Sequence, residues 1–433
     1  MPNWRKQRAP GVARERINES ERDLAELNIG FFFGGVSPEH EVSVISSLQA
    51  VAALDRSRYR PVPVYIAKDG QWYTGDALLD VKAFADIDSL LKKAQRCGVV
   101  PGPGGKLQIV PVSGRLFRFG QSPRLLDVVF LGLHGGAGEN GSIQGLCETC
   151  NVAYTGSGVF GSALGMDKVL SKMLCRDQNI PVVEWVALRE TEWADREEEW
   201  LDRIEEDLWY PVIVKPARLG SSIGIAKAAD RAKLDFAIEE AFRFDEKVVI
   251  ERAVRQLTEV NCSVLGDPDE AIASVIEQPI SASADEVLSF TDKYVREGGG
   301  KAAPATKIAS GGAEGMASLD RIIPAPLSDK RAKEIRDLAV RVFKLFECAG
   351  VARIDFMIDK ADDAVYFNEI NTIPGSFSFY LWEPSGVPFP ELLHRMIEIA
   401  RKRQFDKMRH VQTYEVNLLS EKSLSGLKGA KKA

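Results

Sequence analysis

Histidine and cysteine are scarce in this 433-residue chain, at four and six residues, and neither type is spaced to hold a metal. His40, His134, His394 and His410 lie far apart, as do Cys97, Cys175, Cys262 and Cys348. The pair Cys147-Glu-Thr-Cys150 has zinc or redox spacing, but no second pair completes a site. It falls in the stretch Ser142 to Cys150, which reads as an ordinary helix, so core cysteines are expected. No uninterrupted apolar run approaches the length of a membrane span, which argues against a membrane protein. Excess positive charge is missing too: 56 Lys and Arg against 62 Asp and Glu leave a net charge of -6. That balance, with a pI near 5.6, argues against nucleic-acid and anionic-membrane partners. Met1 to Asp23, rich in Arg and Glu, lacks the apolar core of a secretory signal, so a cytoplasmic location is expected.

What is present is ordinary for a globular protein: 45% hydrophobic and 27% charged residues, over a length sufficient for two or three domains. One stretch departs from the ordinary. Val351 to Ile358 and Val365 to Asn371 read as two strands joined by a turn from Lys360 to Ala364. With a period of two, Arg353, Asp355, Glu369 and Asn371 share one face. Two interpretations follow: a solvated strand pair whose charges cancel, or a site for a hard cation and a phosphate or carboxylate. Mg²⁺ is usually held by one or two carboxylates together with substrate phosphates.

Upstream, Asn28 to Phe33 is a compact apolar strand ended by Gly34-Gly35. Ser37 and Pro38 then suit an N-cap and first helical position. Strand, glycine turn and helix open a doubly wound α/β domain, where ligands collect at the carboxyl ends of strands. Glu39, at such an end, either faces a ligand amine or complements the helix dipole. Pro61 to Ala67 reads as a strand, Ile87 to Gln95 as a helix and Gly98 to Gly105 as a loop. Asp127 to Leu133 is a buried strand, and the glycine-rich turn His134 to Gly141 opens a helix. That turn matches neither G-x-G-x-x-G nor G-x-x-x-x-G-K-[ST].

Further on, Met166-Asp-Lys168 enters a helix. Lys215 closes the apolar strand Pro211 to Lys215, and Gly220-Ser221-Ser222 follows as a plausible phosphate cradle. The strand Lys247 to Val254 carries Glu251, which could pair with an adenine edge, as Glu259 could with a ribose; both are otherwise solvated acids. Lys293 and Tyr294 precede a Gly/Ala-rich loop, 297–318, of lid-like length. Ser328 to Cys348 is an amphipathic helix, and Pro390 to Arg403 a last one before a basic tail. The units are 28–155, 156–250 and 251–403, with an extension at 1–27 and a tail at 404–433.

The strand pair, the Lys-Pro strand and the Gly-Ser-Ser loop together resemble the ATP-grasp superfamily and, more closely, the D-alanine–D-alanine ligase family. Further motifs carry the resemblance in the family's order. They are Gly34-Gly35-Val-Ser37-Pro-Glu39-His-Glu41-Val-Ser43, Leu133-His134-Gly135 to Gly145, Tyr154 to Gly158, Met166-Asp-Lys168 and Asn368-Glu369-Ile-Asn371-Thr-Ile-Pro374-Gly375.

The resemblance implies an α/β fold of three domains: a parallel-sheet domain, then two α+β domains sandwiching ATP. It implies that Lys168, Lys215, Ser221 and Ser222 contact phosphates, and that Glu251, Val254 and Glu259 surround adenosine. Asp355, Glu369 and Asn371 would hold two Mg²⁺ (or Mn²⁺) ions. Arg353 and the Gly375 N–H would stabilise the tetrahedral oxyanion. Glu39 and His134 would line the first amino-acid pocket, and Tyr294 would belong to a closing loop. Lys293, Ser378, Tyr380 and Leu381 would complete the substrate site. A homodimer making D-alanyl-D-alanine for the cell wall is the implied enzyme. The segment Phe377 to Trp382 departs from the family: Tyr380 occupies the position of a serine that binds the second substrate. A different acceptor (D-lactate, D-serine or another amino acid) therefore stands as an alternative, and a non-catalytic nucleotide-binding regulator as a second.

Overall fold

The computed structural model describes residues 26–112, 124–280 and 321–413. Lys293, Tyr294 and the 297–318 loop lie outside the described residues, as do 1–25 and 414–433.

Three sheets organise the described chain. The first begins with β1 (Leu27–Gly34), in which Phe31, Phe32 and Phe33 are fully buried. A strand covered on both faces reads as a continuous apolar run rather than an alternation. Helix α1 (His40–Ala53) follows. It starts later than the Ser37-Pro38 signal predicts, with Glu39 as the cap residue. The Ser37 hydroxyl is committed to the preceding turn, accepting from the Glu39 N–H at 3.1 Å. Next come β2 (Tyr59–Ile66), β3 (Trp72–Thr74), α2 (Ile87–Lys93), β4 (Gln95–Pro101), β5 (Leu107–Pro111), β6 (Arg124–Leu126) and β7 (Val128–Leu131). The glycine turn then carries the short α3 (Gly136–Glu139) and α4 (Ser142–Thr149), ahead of β8 (Ala153–Tyr154).

The order is β6-β5-β4-β3-β2-β1-β7-β8. Only β2-β1-β7-β8 is parallel; β3 to β6 extend the sheet antiparallel. The expected loop at Gly98 to Gly105 is corrected accordingly. Gly98 to Pro101 pair with β5, because neighbouring backbones offer a ladder that the local Gly/Pro composition does not reveal.

Helices α5 (Val159–Met166) and α6 (Lys168–Asp177) lead into the second sheet. Asp167 caps α6, accepting from the Val169 and Leu170 N–H groups at 3.0 Å each. The second sheet is formed by β9 (Trp185–Arg189), β10 (Val212–Pro216), β11 (Ala226–Ala228) and β12 (Lys247–Arg252). Its covering helices are α7 (Glu190–Leu208) and α8 (Arg231–Phe242).

The third sheet has the order β15-β14-β13-β16-β17. Its strands are β13 (Leu257–Gly266), β14 (Ala271–Pro279), β15 (Arg321–Ile322), β16 (Gly350–Asp359) and β17 (Ala364–Asn371). Helix α9 (Asp329–Leu345), capped by Ser328, buries Ile335, Ala339, Val342 and Phe343 against it. After β17 come the short α10 (Phe379–Trp382) and α11 (Phe389–Met408). The apolar face of α11 joins the core of the first sheet, and the Phe377 ring meets Phe130 edge-on at 5.1 Å. The polypeptide after the hairpin thus returns to the N-terminal sheet and holds the hairpin's end against it.

Candidate active site

The hairpin brings its polar residues together as the two-residue period requires. Arg353 pairs with Asn371 and Asp355 with Glu369 across β16 and β17. The register then shifts between Asp355 and Phe356, leaving Asn368 as an extra residue. Such a bulge re-aims the chain, so Asn368 and Glu369 both face the interior cavity although they are sequence neighbours. Strict alternation hides Asn368.

Asp355 accepts two hydrogen bonds from Arg353, from Nε and a terminal nitrogen at 2.7 Å each, and one from Asn371 Nδ2 at 3.1 Å. Burial pushes the Asp355 carboxyl up to about 6, while Arg353 pulls it down and Glu369 adds to the rise. Burial would lower the Arg353 guanidinium, but Asp355 outweighs it and keeps Arg353 firmly charged.

These side chains line a cavity of about 560 Å³ between the three sheets. That volume lies within the range that takes up a small organic ligand. The same cavity is lined by Glu39, His134, Lys215, Ser221, Ser222, Glu251, Val254, Glu259 and Gly375. Lys168 stands in a small adjoining recess, its Nζ 3.3 Å from Glu369 and donating to the Leu219 carbonyl at 2.7 Å. Thirteen of the sequence-predicted residues therefore share one wall (the nine just named with Arg353, Asp355, Glu369 and Asn371). Ser378 and Leu381 are fully buried and off it. Tyr380 is also off it, with its ring under Arg321 and its hydroxyl donating to Glu277 at 3.2 Å. Lys293 and Tyr294 lie outside the described residues.

Behind the lysine-bearing strand is a charge cluster that sequence reading only half revealed. Lys215 donates to Glu251 at 2.7 Å and to Asn368 at 3.2 Å, and Lys172, fully buried, stands 3.1 Å from the other Glu251 oxygen. Burial alone would raise Glu251, yet Lys172 and Lys215 hold it at about 2. Burial pushes Lys172 down, whereas for Lys215 it is outweighed by Glu251 and the ammonium is raised. Lys172 was detectable in principle, since it follows Lys168 by four residues and shares its helical face. Nothing local marks that face as buried.

Glu39 projects from the cap of α1 and accepts a short hydrogen bond from the Ser221 hydroxyl, which joins the first sheet to the Gly-Ser-Ser loop. Ser221 and Ser222 adopt positive φ, 55° and 58°, a conformation that costs free energy unless surroundings hold it. Gly135 must be glycine: its φ is +65°, and an added Cβ would lie 2.4 Å from Glu39 Oε2. Glu139, which belongs to the Leu133 to Gly145 motif but has no role implied by it, accepts from the Gly135 and Ile373 N–H groups at 3.1 Å each. It ties the glycine turn to the end of the hairpin. His134 is buried, and burial lowers its imidazole to about 4, so it is neutral at pH 7.

Among the described residues no three His, Cys, Asp or Glu side chains cluster as a closed metal cage. Two carboxylates and an amide on a cavity wall instead form an open, oxygen-only donor set. That chemistry fits Mg²⁺ or Mn²⁺ shared with phosphates rather than a structural ion. Among the described residues no helix is long and apolar enough to cross a membrane.

Comparison with known proteins agrees with this geometry. The family model for the D-Ala–D-Ala ligase N-terminus matches residues 28–157, and the model for its C-terminus matches 174–398. A D-alanine–D-alanine ligase of Thermosipho melanesiensis is 37% identical over 396 residues, covering 92% of this chain and 99% of that one. One from Caldicellulosiruptor bescii is 38% identical over 391 residues, covering 89% and 98%. Among solved structures, the Coxiella burnetii D-alanine–D-alanine ligase superposes with a TM-score of 0.71 at 29% identity, covering 89% and 96%. The VanG D-Ala:D-Ser ligase of Enterococcus faecalis gives 0.70 at 28%, covering 87% and 100%. With both family models together spanning most of its length, the chain belongs to the D-alanine–D-alanine ligase family.

Proposed function

We propose that this chain is a cytoplasmic, ATP-dependent ligase that joins two D-alanine molecules, releasing ADP and phosphate, to supply peptidoglycan precursors. The observation that carries the reading is the single cavity lined by Arg353, Asp355, Glu369, Asn371, Lys215 and the Glu39–Ser221 pair. ATP enters along the second and third sheets. Lys168 and Lys215 meet its phosphates, the Ser221 and Ser222 loop covers the terminal one, and Val254 and Glu259 flank the nucleoside. Glu251 lies with them around adenosine, where it lines the cavity, and also fixes Lys215.

The first D-alanine lies between Glu39, which takes its ammonium, and His134, whose neutral imidazole adds no competing charge. Its carboxylate is phosphorylated, and the amine of the second D-alanine attacks the activated carbonyl. Arg353 and the Gly375 N–H receive the oxyanion, where preorganised donors contribute most. Asp355, Glu369 and Asn371 would hold two Mg²⁺ or Mn²⁺ ions, which when bound would offset phosphate charge. A homodimer is proposed from the family resemblance alone, and sedimentation tests it.

The test is to supply the purified chain with ATP, Mg²⁺ and D-alanine and follow ADP together with product mass and chirality. D-alanyl-D-alanine is expected, and Glu369→Ala should abolish ADP release; unchanged turnover in that variant removes the metal assignment. Tyr380 at a family serine position, with the likeness to a D-Ala:D-Ser ligase, supports a second reading in which only the acceptor differs. Formation of D-alanyl-D-serine, or another D-alanyl product, without D-alanyl-D-alanine selects it.

A further inference from the structure

Several cations of the cavity wall play no part in the ligase scheme, and one of them has a nearly enclosed side chain. Arg321, on β15, has a side chain only 8% exposed, yet it lines the cavity. It donates to Glu277 Oε2 at 2.6 Å, and its guanidinium carbon sits 3.9 Å from the centre of the Tyr380 ring. Glu277 is itself buried and also accepts from Asn261 Nδ2 at 3.0 Å and the Tyr380 hydroxyl at 3.2 Å. An acid on one edge and an aromatic ring on one face fix the plane of the guanidinium. Holding a long side chain in this way removes the entropy otherwise lost on binding.

The sheet places this group relative to the reacting centre. Glu277 pairs with Asn261, and Asn261 with Asp355, which carries the Arg353 ion pair. At about 4.8 Å per strand, Glu277 stands roughly 10 Å from Asp355 along the sheet. Tyr380 follows Gly375 by five residues and meets Arg321 and Glu277. The space between Arg353 with Gly375 on one side and Arg321 on the other therefore suits a small molecule with two unlike ends. An amine directed at the carbonyl held by Arg353 leaves its remaining polar end toward Arg321. Lys168, Lys172 and Lys215 cluster near Glu369 and Glu251.

We propose that Arg321, oriented by Glu277 and Tyr380, receives the carboxylate of the acceptor and makes the chain select an amino acid over an uncharged amine. The inference rests on the ligase reading and adds the feature by which that site recognises its second substrate. A guanidinium has five N–H donors in a rigid fork, so it can serve Glu277 and an incoming carboxylate together. An acceptor lacking the carboxylate forgoes a charge-assisted hydrogen bond.

The test sets D-alanine and D-alaninamide in competition as acceptors at equal concentration. The full chain is supplied with ATP and Mg²⁺, D-alanine also serves as donor, and the two products are resolved by mass. Wild type should favour the free dipeptide over its amide, and Arg321→Gln should reduce that preference about tenfold or more. Both products come from the same folded molecules, so partial unfolding does not move the ratio. Because Arg321→Gln leaves Glu277 buried without its cationic partner, the Glu277→Gln/Arg321→Gln double variant is measured beside it and should show the same collapse. Arg321→Lys should recover part of the preference. A ratio within about threefold of wild type in both Gln variants, with ADP still released, overturns the role of Arg321 and leaves the ligase reading standing. No ADP release by wild type with D-alanine overturns the ligase reading, and this inference falls with it.

Discussion

Glu251→Gln is the most informative single change to the buried charge cluster. In the wild type one carboxylate, 2% exposed, serves two ammonium groups, Lys215 at 2.7 Å and Lys172 at 3.1 Å. Its pKa falls from 4.5 to about 2. At 1.36 kcal/mol per unit, that is about 3 kcal/mol of stability. Because the folded value is depressed, this stability is fully present above pH 4.5 and is lost as pH falls toward 2. Burial of Lys172 pushes in the opposite sense, lowering its own pKa, so part of the gain is offset.

Replacing the acid with an amide leaves two buried cations without an anion, a change that typically costs about 3–5 kcal/mol. The variant should therefore unfold at distinctly lower denaturant, by roughly that energy at pH 7, with the gap narrowing as pH drops below 4.5. Lys215 should also lose its fixed position, raising the KM for ATP. Lys172→Met should cost less than Glu251→Gln, since Lys215 still pairs with Glu251. A Glu251→Gln protein within about 1 kcal/mol of wild type, with unchanged KM for ATP, would refute the idea that the three charges act as one unit.

Two other outcomes follow from the cavity wall. The His134 imidazole, lowered by burial to about 4, should show no titration above about pH 5 by NMR. Because its folded pKa lies below the ordinary 6.5, protein stability should rise with pH between 4 and 6.5, and His134→Gln should remove that slope. Gly135→Ala adds a methyl 2.4 Å from Glu39 Oε2 at a φ of +65°. It should raise the KM for the first D-alanine at least tenfold by displacing Glu39, while nucleotide affinity, measured by fluorescence titration, changes little.

Much of the candidate site is legible in the chain because its residues lie on regular local structure. Arg353, Asp355, Glu369 and Asn371 occupy alternate strand positions, so a period of two is enough to group them. Lys168 and Lys215 sit where a capped helix begins and an apolar strand ends, and glycine marks the turns at Gly135 and Gly220. Pattern alone also determines the apolar strand at Phe31 to Phe33 and the amphipathic face of α9.

Tertiary structure decides the rest, because those residues meet across sheets that no spacing relates. The bulge brings Asn368 into the cavity against the strict alternation. Lys172 becomes a partner of Glu251 only when α6 packs beneath β12. Arg321 and Glu277 look like ordinary charged residues until β15 pairs with β14 and α10 sets Tyr380 against them. Burial then changes what each group does. A carboxylate or imidazole has a fixed chemistry in the sequence, but its charge state and reach depend on the dielectric and the partners that only the folded chain supplies.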